Sequence, residues 1–343
     1  MGRVSNIFIA LCVALLFSSC QTYRMIGIET YHAASITFPS DIQSIMIVNN
    51  TPLQSYDHGY HLVRIQNQDV SISTDSMAYL FCLSLGKAIA ELPFFDDVRL
   101  CDDPLRSDSF FNMTRPLLVD DVERLCDEYD IDALISLDKL YFKADINTSE
   151  MSVFNYFISL QVEVAGELKA LWPGGNVAHT IPFTDSLQLL LDPFSLTDDF
   201  LVQEVKEAIR DWLENTSQQM YKHFVPFWEN DDRWFYTSMS SDWKRATAYT
   251  VANKWEEAST MWQSLYDNTS HKMQKARLAS NLALAREIAG DLPKAIEYAE
   301  IAHSIFQEMS NEQDTFRQMQ KNYLDLLRKR IEDDRKLSEQ LRE

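Results

Sequence analysis

Glycine is scarce, with eight in 343 residues. Loops that cradle phosphates have little to be built from, and neither a GxGxxG fingerprint nor a P-loop occurs. A G-x-S-x-G elbow and an HExxH pair are missing too, so the chain shows no signature of nucleophilic or metal-assisted catalysis. Basic residues are in short supply, 31 against 51 acidic ones, for a net charge of −20. Such a balance repels phosphate backbones and anionic head groups, which argues against nucleic-acid binding and against a polybasic membrane contact. Five cysteines form no CxxC pair. Cys82, Cys101 and Cys126 sit in helical or strand patterns and read as small buried hydrophobes, with one disulfide among them left open. The apolar run that ends at Phe17 is too short to span a bilayer comfortably, and no later stretch is long and apolar enough to do so.

What is present supports folding. Apolar residues make up 46% and aromatics 12%, enough for packed cores, and the length suits two domains of roughly 100–200 residues each. At the start, Arg3 precedes the apolar stretch IFIALCVALLF, the length of a signal-peptide core. It ends in Phe17-Ser18-Ser19-Cys20, which resembles the lipobox of bacterial lipoproteins. The resemblance implies that residues 1–19 are a signal peptide carrying Cys12 away, and that Cys20 becomes an acylated N-terminus. Acyl chains contribute about 0.8 kcal/mol per buried CH₂, so a triacylated cysteine holds a soluble body at a membrane. The following Gln21-Thr22-Tyr23-Arg24 lacks the Asp that resembles an inner-membrane retention signal, which implies the periplasmic face of the outer membrane. Residues 20–40 read as lipidated N-terminus and linker.

Residues 41–225 read as an α/β sandwich domain with a mixed sheet. Ile45-Met46-Ile47-Val48 is a short apolar run bounded by turn formers, a buried strand. After a polar and aromatic loop, Thr74 or Asp75 caps a helix whose Met77, Phe81, Leu85 and Ile89 recur at helical spacing until Pro93. A strand over 94–100 follows, then a helix opening at Asp120-Asp121, where carboxylates favour the positive end of the helix dipole. Strand alternation resumes from Ala133, and two long alternating segments separated by Pro173-Gly174-Gly175 predict a hairpin. An amphipathic helix over 197–224, capped by Thr197, Asp198 and Asp199, closes the domain. This order, with the motifs IMIVNN and DIDALISL, is similar to lipoprotein domains of the curli-secretion-factor and penicillin-binding-protein-activator kind, which implies a protein–protein surface.

Residues 226–240 form an aromatic interdomain segment holding Phe227, Trp228, Trp234, Phe235 and Tyr236. Rings at this density weld cores, or else Trp228, Trp234 and Tyr236 offer a partner or glycan contact. Over 241–310, Ala246, Tyr249, Asn253, Ala258 and Trp262 align with Ala283, Arg286, Gly290, Ala295 and Ala299 as two helical hairpins. This resembles the tetratricopeptide repeat, in which small residues admit close helix packing and Asn253 or Gly290 ends the first helix in the left-handed conformation. Ala258 and Ala295 stand 37 residues apart, against a usual period of about 34. Arg286 takes the place of an aromatic. Residues 311–343 supply a capping helix, with a stripe of Phe316, Met319, Tyr323, Leu326, Leu327 and Ile331 and a last turn expected to fray.

Lipobox, α/β domain and short repeat array together resemble a family of bacterial envelope lipoproteins with tetratricopeptide-like tails, a likeness that implies no activity. Of the acidic doublets Asp102-Asp103, Asp120-Asp121, Asp198-Asp199 and Asp231-Asp232, at least two open helices, where favouring the dipole accounts for them, so acid–base pairs are not expected there. His58 and His61 lie close in sequence without a visible third ligand, so no metal or cofactor is expected, and a hydrolase using them is the remotest reading. The expected function is a non-enzymatic, lipid-anchored scaffold or adaptor that engages an envelope protein through its repeats. The alternative is a glycan-binding accessory protein using Trp228 and Trp234.

Overall fold

The computed structural model describes residues 23–52, 62–65, 68–71, 74–106, 108, 115–152, 155–175, 179–191, 198–309 and 314–341. Cys20 with its lipobox, His58, His61 and Thr197 lie outside them. The chain is an α/β domain followed by an all-helical domain, and it divides into two compact units. One comprises residues 33–227 with 339–343, and the other takes the residues up to His32 together with 228–338. The sheet unit is thus inserted between two pieces of the helical unit.

The first strand, β1 (Tyr23–His32), falls where a linker was expected. Ile26, Ile28 and Thr30 turn toward protein while Met25, Gly27 and Glu29 face solvent, and this alternation is the period of a half-covered strand. Next comes β2 (Ser44–Asn49), with Ile45, Met46, Ile47 and Val48 all buried because the strand is covered on both faces. Two short antiparallel strands, β3 (Leu62–Ile65) and β4 (Gln68–Ser71), occupy part of the stretch expected to be loop. Helix α1 (Thr74–Ala90) leads to β5 (Asp97–Leu100), and α2 (Val119–Tyr129) leads to β6 (Ala133–Ser152). β7 (Asn155–Leu171) and β8 (His179–Leu191) complete a sheet of order β5-β2-β6-β7-β8. β2 runs parallel to β5 and β6, whereas β6, β7 and β8 are antiparallel, so the sheet is mixed. Gly174, at φ +70° beyond the end of β7, takes the left-handed conformation that its missing Cβ permits.

Two cores sandwich this sheet. Ile45 and Ile47 join Phe81, Leu85 and Ile89 of α1 and Ile209 and Leu213 of α3 (Asp198–Gln219). Met46 and Val48 face the opposite way, onto Val122, Leu125 and Cys126 of α2. Cys82, Cys101 and Cys126 are buried and free, which resolves the open disulfide. Burial raises their thiols, Cys82 to about 12 and Cys126 to about 11, so they stay protonated and inert.

After a 3₁₀ turn, β9 (Phe227–Tyr236) pairs with β1 as a two-stranded ribbon in the helical unit. Five helices follow, α4 (Ser241–Val251), α5 (Trp255–Asn268), α6 (Lys272–Ile288), α7 (Leu292–Gln307) and α8 (Asp314–Gln340). Ala246, Ala258, Ala283, Ala295, Ala299 and Ala302 are fully buried, the small contacts that bring helix axes close. Tyr249 is half-buried against the same core. Asn253 at φ 58° and Gly290 at φ 77° occupy the left-handed region after α4 and α6, where each turn between paired helices reverses the chain. α6 is the central helix, buried almost without interruption from Leu278 to Ala285.

The stripe on α8 departs from expectation. Gln320, Tyr323, Leu324 and Leu327 are buried, whereas Ile331 is exposed, because the covered face follows the 3.6-residue turn through Leu324. Nor does the last turn fray before Gln340. The Gln340 side chain accepts from Ala34 N at 3.0 Å and donates to Ala34 O at 3.0 Å, so its burial is satisfied by backbone partners.

Candidate functional site

The helical unit contains a cleft of about 440 Å³. Its walls come from β1, from Trp228 on β9, from Trp255 at the start of α5, and from the turns at Asn253 and Gly290. Trp255 donates from Nε1 to Asn253 Oδ1 at 2.7 Å, which fixes the ring beside the turn. Trp228 is 67% exposed and lies against Tyr31, ring centroids 4.9 Å apart. An exposed tryptophan held by a second ring is a surface that apolar or sugar groups can cover.

Glu287 of α6 lies at the base, its side chain fully buried. Arg233 of β9 donates to it from Nε at 3.1 Å and from Nη2 at 2.9 Å, Arg330 of α8 from Nη1 at 2.6 Å, and the Tyr323 hydroxyl at 2.7 Å. A buried carboxylate survives only when its lone pairs are met, and here two guanidiniums and a phenol meet them. Burial lowers the Arg233 guanidinium, but the hydrogen bond and charge of Glu287 outweigh it and hold it above its ordinary value. Tyr323 is pushed well above the phenol range by burial and by Glu287, so it remains a donor.

Arg233 also reaches Asp231 Oδ2 at 3.3 Å, which extends the network to the ribbon's outer end. There the Thr30 hydroxyl donates to Asp231 Oδ2 at 2.5 Å and His32 Nε2 stands 3.2 Å from it. Burial works to raise the Asp231 carboxyl, yet the Thr30 hydrogen bond and the Arg233 charge together hold it below its ordinary range. Glu229, Asp231 and Arg233 alternate along one side of β9.

The aromatic residues expected to act together are separated. Trp228 lines the cleft, but Tyr236 is fully buried, tilted against Phe306 at 6.1 Å, and Trp234 is half-buried against Tyr323. Tyr236 N donates to Asn281 Oδ1 at 2.7 Å and Asn281 Nδ2 returns a bond to Tyr236 O at 2.8 Å, so this end of β9 belongs to the core of the helical unit. Only Trp228 of the three offers a large exposed face, because the strand's covered end buries the other two. Of the doublets, Asp120-Asp121 and Asp198-Asp199 open α2 and α3. Asp231 and Asp232 point to opposite sides of a strand and form no carboxylate pair.

The sheet unit holds a second recess, of about 630 Å³, lined by Asn50, Arg106, Asp108, Arg115 and Arg124 beyond the carboxyl end of β2. That is where the chain leaves β2 for β5 on one side and reaches β6 on the other, the place where open α/β sheets form crevices. Its charges are already paired: Arg106 meets Asp108 at 2.7 Å, Arg115 meets Asp108 at 3.6 Å and Arg124 meets Asp121 at 3.5 Å. Beneath it, Asp138 at a bulge in β6 accepts from Asn50, Ser136 and Lys169 at 3.0, 2.6 and 2.7 Å.

His32, Glu229, Arg233, Glu287, Arg330 and Trp255 did not emerge as site residues from the sequence. The available signal was the alternation Glu229, Asp231, Arg233 with an aromatic strand end, but its partner strand lies some two hundred residues earlier.

The family model described as Domain of unknown function (DUF8603) matches residues 42–236, more than half of the chain. A second, Domain of unknown function (DUF6340), matches residues 244–329, where a tetratricopeptide likeness was expected. No curated protein matches the sequence. Among solved structures, rare lipoprotein B from Shewanella oneidensis is similar at 10% identity and a TM-score of 0.26, over 51% of this chain and 89% of that one. A minor lipoprotein from Acinetobacter baumannii is similar at 10% identity and a TM-score of 0.25, over 54% of this chain and 91% of that one.

Proposed function

The chain belongs to the DUF8603 family, and from that premise we propose that it is a lipid-anchored envelope lipoprotein acting as a non-enzymatic adaptor. Its helical unit engages another envelope protein through the cleft beside Trp228. The observation that carries this reading is the cleft itself, with an exposed tryptophan and Trp255 on its walls over a base whose charges are already matched. Matched charges suit contact rather than turnover, since none of them is left to move a proton.

Cys20 is the acylation site in this reading, and residues 20–22 bridge it to β1. The outer membrane's periplasmic face is the location we favour. Among the described residues no helix is long and apolar enough to cross a membrane, and the acyl chains supply the attachment.

A photo-crosslinker placed at position 228 in the anchored full-length chain tests the reading, with position 79, an exposed tyrosine of the sheet unit, as control. A discrete protein adduct from 228, absent from 79 and reduced by Trp255→Ala, is the expected result. Equal adducts from both positions, or none, would overturn it. Exposure of Trp228 beside Tyr31 favours the second reading, glycan binding. Glycan arrays comparing the native chain with Trp228→Ala separate the two, because only that reading predicts retention of sugars.

A further inference from the structure

The outer end of the ribbon brings together three side chains whose chemistry differs from that of the cleft. His32 closes β1, while Glu229 and Asp231 stand two residues apart on the adjacent strand and therefore on one side of it. One ligand atom from each lies within 4.8 Å of the others. We propose that His32, Glu229 and Asp231 form a binding site for one divalent transition-metal ion of the zinc class.

The spacing is what decides this. Two donors bound at 2.0–2.1 Å to a tetrahedral ion stand about 3.3 Å apart, and His32 Nε2 and Asp231 Oδ2 are 3.2 Å apart. Glu229 is exposed and brings its carboxylate into the same group, its ligand atom within 4.8 Å of the other two. One imidazole and two carboxylates make a borderline-to-hard donor set, which suits Zn²⁺ or Mn²⁺ and disfavours the soft ions that thiolates select. A supporting layer exists as well. The Thr30 hydroxyl donates to Asp231 Oδ2 and stands 2.7 Å from His32 Nε2, Arg233 donates to the same Oδ2, and Arg233 is itself locked by Glu287, so the two donor atoms are already held side by side. Partners of this kind orient metal-binding groups, and their loss typically costs 10–100-fold in affinity. His32 and Asp231 each keep about a fifth of their side-chain surface exposed, so an ion has an entry route. Three protein ligands leave a fourth position for water or for a group from a partner.

The competing account of the same atoms is a metal-free pairing of His32 with Asp231, with Thr30 hydrogen-bonded to both. Calorimetric titration of Zn²⁺ and Mn²⁺ into the metal-stripped chain, residues 20–343 bearing Cys20→Ser, distinguishes them, alongside His32→Ala and Glu229→Gln. The expected result is one site per chain, weakened at least tenfold by either substitution, and a melting temperature that rises with Zn²⁺ in the native chain only. Glu229→Gln is the decisive variant, because it removes the ligand's charge from an exposed side chain while keeping its size and an amide that still hydrogen-bonds. Zn²⁺ binding unchanged in both variants would place the ion at other histidines and overturn the proposal. So would a native chain that takes up no metal while His32→Ala still lowers stability, since that is the behaviour of the metal-free pairing.

Discussion

Among the described residues each unit buries one carboxylate, and the two are satisfied in opposite ways. In the sheet unit Asp138 draws its partners from three neighbouring strands or their ends, with Asn50 after β2, Ser136 in β6 and Lys169 in β7. In the helical unit Glu287 gathers Arg233 from the ribbon and both Tyr323 and Arg330 from α8. The first arrangement tightens contacts the sheet already makes. The second joins elements that no backbone ladder connects, so its charges do the tying that hydrogen-bonded strands do elsewhere. Lys169 also has Glu167 at 3.1 Å as a second acceptor, whereas the Arg233 fork depends mainly on Glu287.

The strongest way to break this comparison is Glu287→Ala. It removes the main acceptor of the buried Arg233, which keeps only Asp231 at 3.3 Å and the Asp232 carbonyl at 3.1 Å, and takes a partner from Arg330 and Tyr323 as well; the expected loss is about 3–5 kcal/mol, read by thermal unfolding and by hydrogen exchange that opens α6 and α8 first. Asp138→Ala is expected to cost less, about 2–3 kcal/mol, because Lys169 falls back on Glu167. Equal losses for the two would remove the distinction drawn above.

Asp132 sharpens the sheet side further. Its carboxylate accepts from Gln43 N at 2.8 Å, Ser44 N at 2.7 Å and Ser44 Oγ at 2.8 Å, tying the start of β2 to the start of β6. Burial raises this carboxyl, but the three hydrogen bonds outweigh it and hold it below its ordinary value. A depressed folded value means stabilisation that is complete above the unfolded carboxylate pKa of about 3.9 and lost as pH falls through the lower folded one. Asp132→Asn is expected to cost about 2 kcal/mol at neutral pH and to flatten that part of the acid unfolding profile.

In the helical unit the two left-handed turns differ in residue type and in the Trp255 hydrogen bond that the Asn253 side chain accepts. Gly290→Val is expected to cost about 1–2 kcal/mol, since a Cβ at φ 77° crowds the carbonyl, while Asn253→Gly is expected to cost about 1 kcal/mol or less, the lost Trp255 bond being offset by relief at φ 58°. The smallest effect is that of Trp228→Ala, within about 0.5 kcal/mol for so exposed a ring, with loss of the crosslink or the glycan signal as its readout.

Much of the sheet unit was legible in the sequence because its signals are local. Ile45 to Val48 announce a strand covered on both faces, Pro173 to Gly175 announce a reversal, and Asp120-Asp121 announce a helix start. The helical hairpins were legible through their alanines and through Asn253 and Gly290. The ribbon was not. Ile26, Ile28 and Thr30 carry a strand's alternation, but a lone strand gives no hint of a partner beginning at Phe227. The same distance hid the cluster of His32, Glu229 and Asp231. Asp231-Asp232 catches the eye as a doublet, yet on a strand adjacent residues face apart, and the spatial neighbours are two residues away or on another strand. Aromatic density likewise marked a region without marking a platform, since Trp234 and Tyr236 fall on the covered end and only Trp228 on the open one.

The ribbon also fixes an order of events during synthesis. β1 leaves the ribosome before its partner exists and has to wait through all of residues 33–226 before β9 arrives. Closing so long a loop costs more than closing a short one, but only logarithmically, and a prefolded insert shortens the effective span. The two strands therefore behave as a clasp that fastens last, and a circular permutant opened at residue 33, with β1 carried to the other end, should assemble faster while keeping the same helices.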